Sequence, residues 1–489
     1  MADSSGQPLA HFERLQSELV RTVLAEGPES MRTGTLVVLP SITFPTEELR
    51  KIIGIQFYEE RMMYALLLLR DPELRIVYVT SIEVDPEIVD YYLRFIPEVP
   101  DARDRLTMIS VGDPAPSALT AKVLASDDTL QEIRAAIRPG RGYVFPFNVT
   151  RLEAVFAQEI GLPLFGPHPD LVGLGSKSGS RRVAKAAGVP VLPGCEDLRS
   201  LTEVEEAIQE ISKGQRDADA VVVKLNYGFS GQGNAIIDLR TLRLPLQETP
   251  TVFCASEESW ASFEAKIKAD GAIVEELLRA PVVASPSVQL RIAPGGAIEI
   301  LSTHDQILGG PDDQVYLGCR FPAFAHYRRQ ILDLALEAAK VLAAEGVFGS
   351  FGIDFIGTPT DGGWTMYLSE INLRLGGTTH PFRMASLVTG GEYEFSTGEL
   401  RADGEAKSYV ATDNLKSERL VGMTPGEAIG VLRENGLEYD ARSRTGATLH
   451  LLGALEAHGK IGSLCIANSY EAAEDLYENV VAALDVGRG

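Results

Sequence analysis

Basic charge is in short supply in this chain. Its 45 Lys and Arg stand against 68 Asp and Glu, a net charge of −23 over 489 residues. Such a chain repels polyanions, which argues against a nucleic-acid or anionic-membrane binder but leaves room for a local basic pocket. Cysteine is scarce too. Cys195, Cys254, Cys319 and Cys465 lie far apart with no CxxC pair, which argues against a structural zinc site and fits reduced thiols. No apolar run approaches the roughly 18 residues of a membrane span. YALLLLR (Tyr64 to Arg70) is short and bracketed by arginines. The start, MADSSGQPLAHFERLQ, lacks the basic-then-apolar pattern of a signal peptide, so a cytoplasmic location is expected. Internal repeats, low-complexity tracts and a Ser or Cys nucleophile triad are also missing.

What is present is ordinary for a soluble globular protein, 45% hydrophobic and 23% charged. The length implies roughly two to four domains with ample core for an enzyme. Residues 1–34 hold one amphipathic helix candidate, LAHFERLQSELVRTVLAEG. From Thr35, short apolar runs (TLVVLPSIT, LRIVYVTS, LTMISVGD, GYVFPFNVT) alternate with helical patterns such as DPEIVDYYLRFI. That alternation predicts a parallel, Rossmann-like layer over 35–165. No glycine fingerprint follows its first strand, where LPSITFPTEE stands, so dinucleotide binding is not expected there. LPLFGPHPDL and STGELRADGEAKSYV punctuate the chain and suggest a second domain over 166–404 and a small α+β domain over 405–489.

Three segments carry the chemistry. In VVVKLNYGFSGQGNAII a strand delivers Lys224 into a flexible loop, whose backbone N–H groups could close over phosphate while the lysine supplies a point charge. A plain hairpin is the bland alternative. In VGLGSKSGSRRVAKAAGVPVLPG the order of residues fails as a Walker A motif, because Ser176 separates Gly175 from Lys177. It reads instead as a helix carrying Lys177 near its start and ending at Gly188, with a solvated surface helix as the alternative. AIVEELLRA offers backbone groups to an adenine edge, or is simply a strand end.

The third segment is YLSEINLRLGGTTHPF. Alternation on a strand places Glu370, Asn372 and Arg374 on one face. GVFGSFGIDFIG should pair with it as a hairpin and bring Asp354 alongside. Three oxygen ligands from Asp354, Glu370 and Asn372 suit Mg²⁺, which keeps several waters and shares phosphate ligands. A salt-bridged sheet edge is the alternative. His304 and Gln306, in STHDQIL, are expected to face the same cleft as substrate contacts, although His304 could equally be a structural histidine.

In this order, from about Gly166 to Met384, the pieces resemble the ATP-grasp superfamily of carboxylate–amine ligases. The resemblance implies a two-lobed ATP-grasp fold after the Rossmann-like layer, an α/β and α+β class overall, with ATP and Mg²⁺ as cofactors. It places Lys177 and Lys224 at the two phosphate-binding lysines, and Gly228 to Gly233, including Ser230, Gly231 and Gly233, at the phosphate-covering loop. Glu275 and Leu278 fall at the adenine-contacting positions and Asp354, Glu370 and Asn372 at the metal ligands. Arg374 matches the arginine that steadies the acyl phosphate, and Gly376, Gly377 and Thr378 follow as acyl-holding residues. No ribose-binding glutamate follows the hinge in LRAPVVASPSVQL, a departure from many members. FPFNVTRLEAVF, GSKSGSRRVAKAAGVP, THDQILGG…YLGCRFP and TGATLHLLGALEAHGKIGSL resemble the pheganomycin-type peptide ligases, which add a pre-ATP-grasp domain and a C-terminal domain.

The implied reaction is ADP-forming amide synthesis between a small carboxylic acid and the amine of an amino acid or peptide. The first domain is then expected to contribute to the acid pocket, and the C-terminal domain to border the amine. A homodimer is among the assemblies expected; nucleic acid and membrane are not expected partners. Rival readings are a carboxylate kinase or acyl-thioester ligase on the same ATP site, and a nucleotide-binding regulator without catalysis.

Overall fold

Four apolar runs build the first layer. Strands β1 (Thr33–Leu39), β2 (Glu73–Thr80), β3 (Leu106–Ser110) and β4 (Gly142–Pro146) lie in the order β3-β2-β1-β4, every neighbouring pair parallel. Parallel strands need long crossovers that cover both faces of the sheet, so the strands can be apolar throughout. One expected crossover helix forms over Pro86–Leu93, with the Asp85 side chain accepting from the Glu87 N–H as its cap. The N-terminal helix, Ala10–Thr22, packs Phe12 into the core that holds Val37 and Ile160, and Gln16 exchanges hydrogen bonds of 2.8 and 2.9 Å with the Leu164 backbone. It thus belongs to the first layer. The structure, a computed structural model, describes residues 9–22, 33–139, 142–214, 218–228, 233–309 and 315–485.

The YALLLLR run ends a helical segment, Ile55–Arg70, whose leucines share one core with Val38 and Tyr78 on one side and Leu449 and Leu464 on the other. Among the described residues, no helix is long and apolar enough to cross a membrane.

A second, antiparallel sheet holds β5 (Gly194–Leu198), β6 (Ala220–Leu225), β7 (Asn234–Asp238), β8 (Thr251–Phe253) and β9 (Ala272–Glu276) in the order β5-β9-β6-β7-β8. Helices Leu201–Gly214 and Trp260–Asp270 back it through Val204, Ile208, Phe263 and Ile267. The third sheet runs β14-β13-β10-β11-β12, built from β10 (Pro286–Ile292), β11 (Ile298–Gly309), β12 (Val315–Phe321), β13 (Gly349–Thr360) and β14 (Gly363–Asn372). Helix Ala325–Ala344 packs on this sheet. These two lobes follow the Rossmann-like layer, the fold class read from the sequence.

The third sheet does not stop at residue 404. It continues from β12 to β17 (Glu405–Lys416), paired in the register Gly318↔Thr412, and beyond β17 to β16 (Glu399–Ala402) and β15 (Glu392–Glu394). β18 (Gly446–His450) and β19 (Lys460–Ala467) join on β17. The C-terminal strands therefore stand in one sheet with the strands of the central region. This continuity lets C-terminal side chains reach the central cleft.

Candidate active site

Strand alternation aims Lys224. On β6, Val221, Val223 and Leu225 enter the helix-backed core, while Val222 and Lys224 take the other face. Lys224 is 9% exposed, and its ammonium finds the Glu275 carboxylate at 2.7 Å on β9. Arg181 donates to the same carboxylate at 3.0 Å. The Glu275 side chain is therefore an internal counter-ion, and only its main chain is left for a base edge. Leu278 lines the cleft just beyond, where the chain has left β9.

Helix Lys177–Ala186 aims the other lysine. Ser176 caps it by accepting from the Gly179 N–H, and Gly188 follows with φ +68°, as the sequence indicated. Gly179 allows the turn to close, since an added Cβ would lie 2.1 Å from the Gly173 carbonyl. Asn226, just after β6, accepts from the Ser178 N–H at 2.9 Å, so the two lysine-bearing elements are tied together. Ser180 accepts from the Ile371 N–H at 2.9 Å and ties the helix to β14. Lys177 thereby reaches Glu370 in a close ion pair.

β13 and β14 form the expected hairpin, with Asp354 and Glu370 as cross-strand partners. Asn372 donates to Asp354 Oδ2 at 2.9 Å. β14 ends at Asn372, two residues earlier than a continuous strand to Arg374 requires: the Arg374 N–H donates to the Asn372 carbonyl at 2.7 Å and bends the chain. Arg374 still faces both carboxylates electrostatically. Burial, with the adjacent Glu370 charge, pushes Asp354 up to about 7. Burial acts the same way on Glu370, but Lys177 and Arg374 outweigh it and hold that pKa below the ordinary value. Two facing carboxylates, one driven towards protonation, form a hard oxygen pair that a divalent cation would relieve. The residues fit Mg²⁺.

Lys177, Lys224, Asp354, Glu370, Asn372 and Arg374 all line one cavity of about 630 Å³. Gly376, Gly377 and Thr378 line it at the start of helix Thr379–Thr389, and Gln306 lines it from β11. An added Cβ at Gly377 would meet the Tyr316 ring at 2.6 Å, so the loop packs tightly against the wall. Gly233 faces Gly228 at the base of the loop after β6 and does not line the cleft; Ser230 and Gly231 lie outside the described residues.

His304 corrects an expectation. It is fully buried, hydrogen-bonded to the Tyr409 hydroxyl at 2.6 Å and packed against Phe321 and Phe382, and it does not line the cleft. Phe321 of β12 and Tyr409 of β17 pair with each other in the same sheet, and their rings pack against His304 at that point of the strand face. Sequence reasoning in turn passed over Tyr58, Arg61 and Asn414, which line the cavity from the first layer and from β17. A signal existed in the charged triplet EER inside the apolar run FYEERMMYALLLL.

Residues 171–251 and 244–396 match the family described as IQCH-like, ATP-grasp, and residues 427–480 match the PGM1 C-terminal domain. Over 468 residues the chain is 33% identical to the L-propargylglycine–L-glutamate ligase of Streptantibioticus cattleyicolor, covering 93% of this chain and 94% of that one. It is 20% identical over 507 residues to IQ motif-containing protein H of Danio rerio, covering 90% of this chain and 47% of that protein. Two solved structures share the fold. One is the ADP complex of an N5-carboxyaminoimidazole ribonucleotide synthetase, with TM-score 0.52, 14% identity, and 92% and 97% of the two chains covered. The other is the biotin carboxylase domain of Hydrogenobacter thermophilus 2-oxoglutarate carboxylase, with TM-score 0.57, 15% identity, and 93% and 90% covered.

Proposed function

Because the chain belongs to the ATP-grasp ligases, we propose that its cleft joins a small carboxylic acid to the amine of an amino acid or short peptide, with ATP converted to ADP and phosphate. The observation that carries this reading is the convergence of Lys177, Lys224, Asp354, Glu370, Asn372 and Arg374 on one cavity. Phosphoryl transfer to a carboxylate needs positioning and charge neutralisation more than covalent catalysis, and that is what such a set supplies.

Lys177 and Lys224 hold phosphate oxygens, and the main chain from Glu275 to Leu278 receives the adenine edge. Asp354, Glu370 and Asn372 hold Mg²⁺, which when bound neutralises phosphate charge. A carboxylate oxygen of the acid attacks the γ-phosphorus; the bond to the β–γ bridging oxygen breaks and ADP leaves. The amine then attacks the acyl carbon, the bond to the phosphate oxygen breaks, and phosphate leaves as the nitrogen loses its proton. Arg374 spans phosphate and acyl oxygens during both steps, and backbone N–H groups of Gly377 and Thr378 face the developing oxyanion. Gln306 contacts substrate from the opposite strand.

The named substrates of the Streptantibioticus relative are both amino acids, and they guide the choice of candidates here. ADP release is to be measured over crossed panels of amino acids and peptides, with the product identified by mass. The reading expects ADP and amide in equal amounts for at least one pair. ADP released with the acid alone and acyl phosphate accumulating, or a requirement for a thiol, would replace it with a kinase or thioester ligase. No ADP from any pair would reject it.

A further inference from the structure

The triplet Glu59, Glu60 and Arg61 is buried inside the helical segment Ile55–Arg70, and of the three only Arg61 lines the cleft. Its side chain is 7% exposed. The guanidinium lies over the Tyr58 ring, 4.2 Å from the centroid, and one terminal nitrogen donates to Asp413 Oδ2. Its Nε has no hydrogen-bond partner among the described residues. A buried N–H left unpaired is costly unless a ligand brings an acceptor.

Asp413 first suggests a metal site, because it places a ligand atom within 4.8 Å of those of His380 and His450. Two facts speak for a brace instead. His450 Nε2 lies 2.6 Å from Asp413 Oδ1, a hydrogen-bond distance and too close for two ligands each about 2 Å from a shared ion. The carboxylate charge is also already matched by Arg61. Burial drives His380 down to about 4, so it is neutral near pH 7. Both imidazoles contact Oδ1, and Arg61 holds Oδ2. On the other side, Lys460 of β19 holds the Tyr58 hydroxyl at 2.5 Å. Both groups that touch Arg61 are thus themselves anchored, and the fork is preorganised.

We propose that Arg61 receives a substrate carboxylate that takes no part in bond formation, so that the enzyme selects an amino-acid substrate by its spectator α-carboxylate. The inference rests on the ligase reading above. A planar guanidinium with a free Nε–H matches carboxylate geometry, whereas an amide offers one acceptor and no charge. The spectator group can belong to the acyl donor or to the amine acceptor, and the test separates them. Asp413 is a positioning residue that acts through Arg61.

The experiment is a thermal-shift series on the full chain, saturated with Mg²⁺ and a non-hydrolysable ATP analogue. L-amino acids are compared with their α-carboxamides. At least one amino acid should raise the melting temperature, and its amide should need about 30-fold or more concentration for the same shift. Arg61→Gln should abolish that preference, Arg61→Lys should retain part of it, and Asp413→Asn should weaken it. The shift caused by the ATP analogue alone serves as the control that each variant is folded. In turnover, raised KM for the amide of one partner only assigns the spectator to donor or acceptor. The proposal is overturned if no amino acid binds, if acid and amide bind wild type equally, or if Arg61→Gln keeps the full preference. A preserved carboxylate preference without ADP release from any pair would instead overturn the ligase reading and leave the Arg61 site standing.

Discussion

Arg374→Lys keeps a positive charge beside Asp354 and Glu370 but removes the planar fork. Among the described residues, the one hydrogen bond of the Arg374 side chain is to the Leu375 carbonyl at 3.5 Å, the outer limit of such a contact. Its guanidinium carbon stands 5.7 Å from the centre of the Phe44 ring, which contributes packing and no acceptor. The donors are therefore uncommitted to protein and free for phosphate and acyl oxygens. Charge on those oxygens grows as the amine attacks, so the contact strengthens in the transition state. Loss of one preorganised donor of this kind costs about 2.7–4 kcal/mol, or roughly a 100- to 1,000-fold fall in rate. Lysines 177 and 224 are untouched by the change, so ATP affinity should stay close to wild type. The assay pairs equilibrium ATP titration with single-turnover amide formation in the same variant. Collapse of ATP affinity with an intact bond-forming rate would assign Arg374 to nucleotide binding and refute the argument.

Glu370→Gln should keep the fold and bring turnover close to zero, because a proposed metal carboxylate is lost; wild-type turnover at ordinary Mg²⁺ would sink the assignment. Lys224→Ala should weaken ATP binding and slow phosphoryl transfer, whereas Lys185→Ala, which breaks only a surface pair with Glu196, should cost at most about 1 kcal/mol and leave ATP titration unaltered. If the two variants behave alike, the phosphate role of Lys224 is wrong. Burial raises Glu60 from 4.5 to about 8, against the Gly453 N–H that it accepts. Between those pH values the native chain holds a proton that the unfolded chain has lost, so this group makes stability fall as pH rises. Glu60→Gln should flatten the decline and melt higher than wild type near pH 8; an unchanged slope of melting temperature against pH would contradict this.

Much of the molecule was legible because local period and local chemistry agreed. The four parallel strands announce themselves as apolar runs of five to eight residues, and Gly188 marks the end of the Lys177 helix. Period-two spacing put Glu370 and Asn372 on one face, and the hairpin brought in Asp354. Elsewhere the same local reasoning stopped short. Glu275 could be recognised as a hinge position, yet nothing in AIVEELLRA shows that its carboxylate is held by Lys224 and Arg181. His304 and Gln306 share a strand face, and only the packing of Phe321, Phe382 and Tyr409 separates a core histidine from a cleft glutamine. Arg61 lay unnoticed in an apolar run because its partner is 352 residues away.

The sequence by itself determined the order of layers, the identity of both lysines, and the acid–amide spacing of β14, since each depends on neighbours within about ten residues along the chain. The tertiary structure decided what the far wall of the cleft is made of. β17 pairs with β12 at Gly318↔Thr412 and so carries Asp413 and Asn414 into a site otherwise built from the first 380 residues. The buried Arg61–Asp413 pair closes that wall. Such a pairing leaves no periodic trace in either segment, because a buried ion pair is specified by where two distant surfaces meet and not by the pattern of either one.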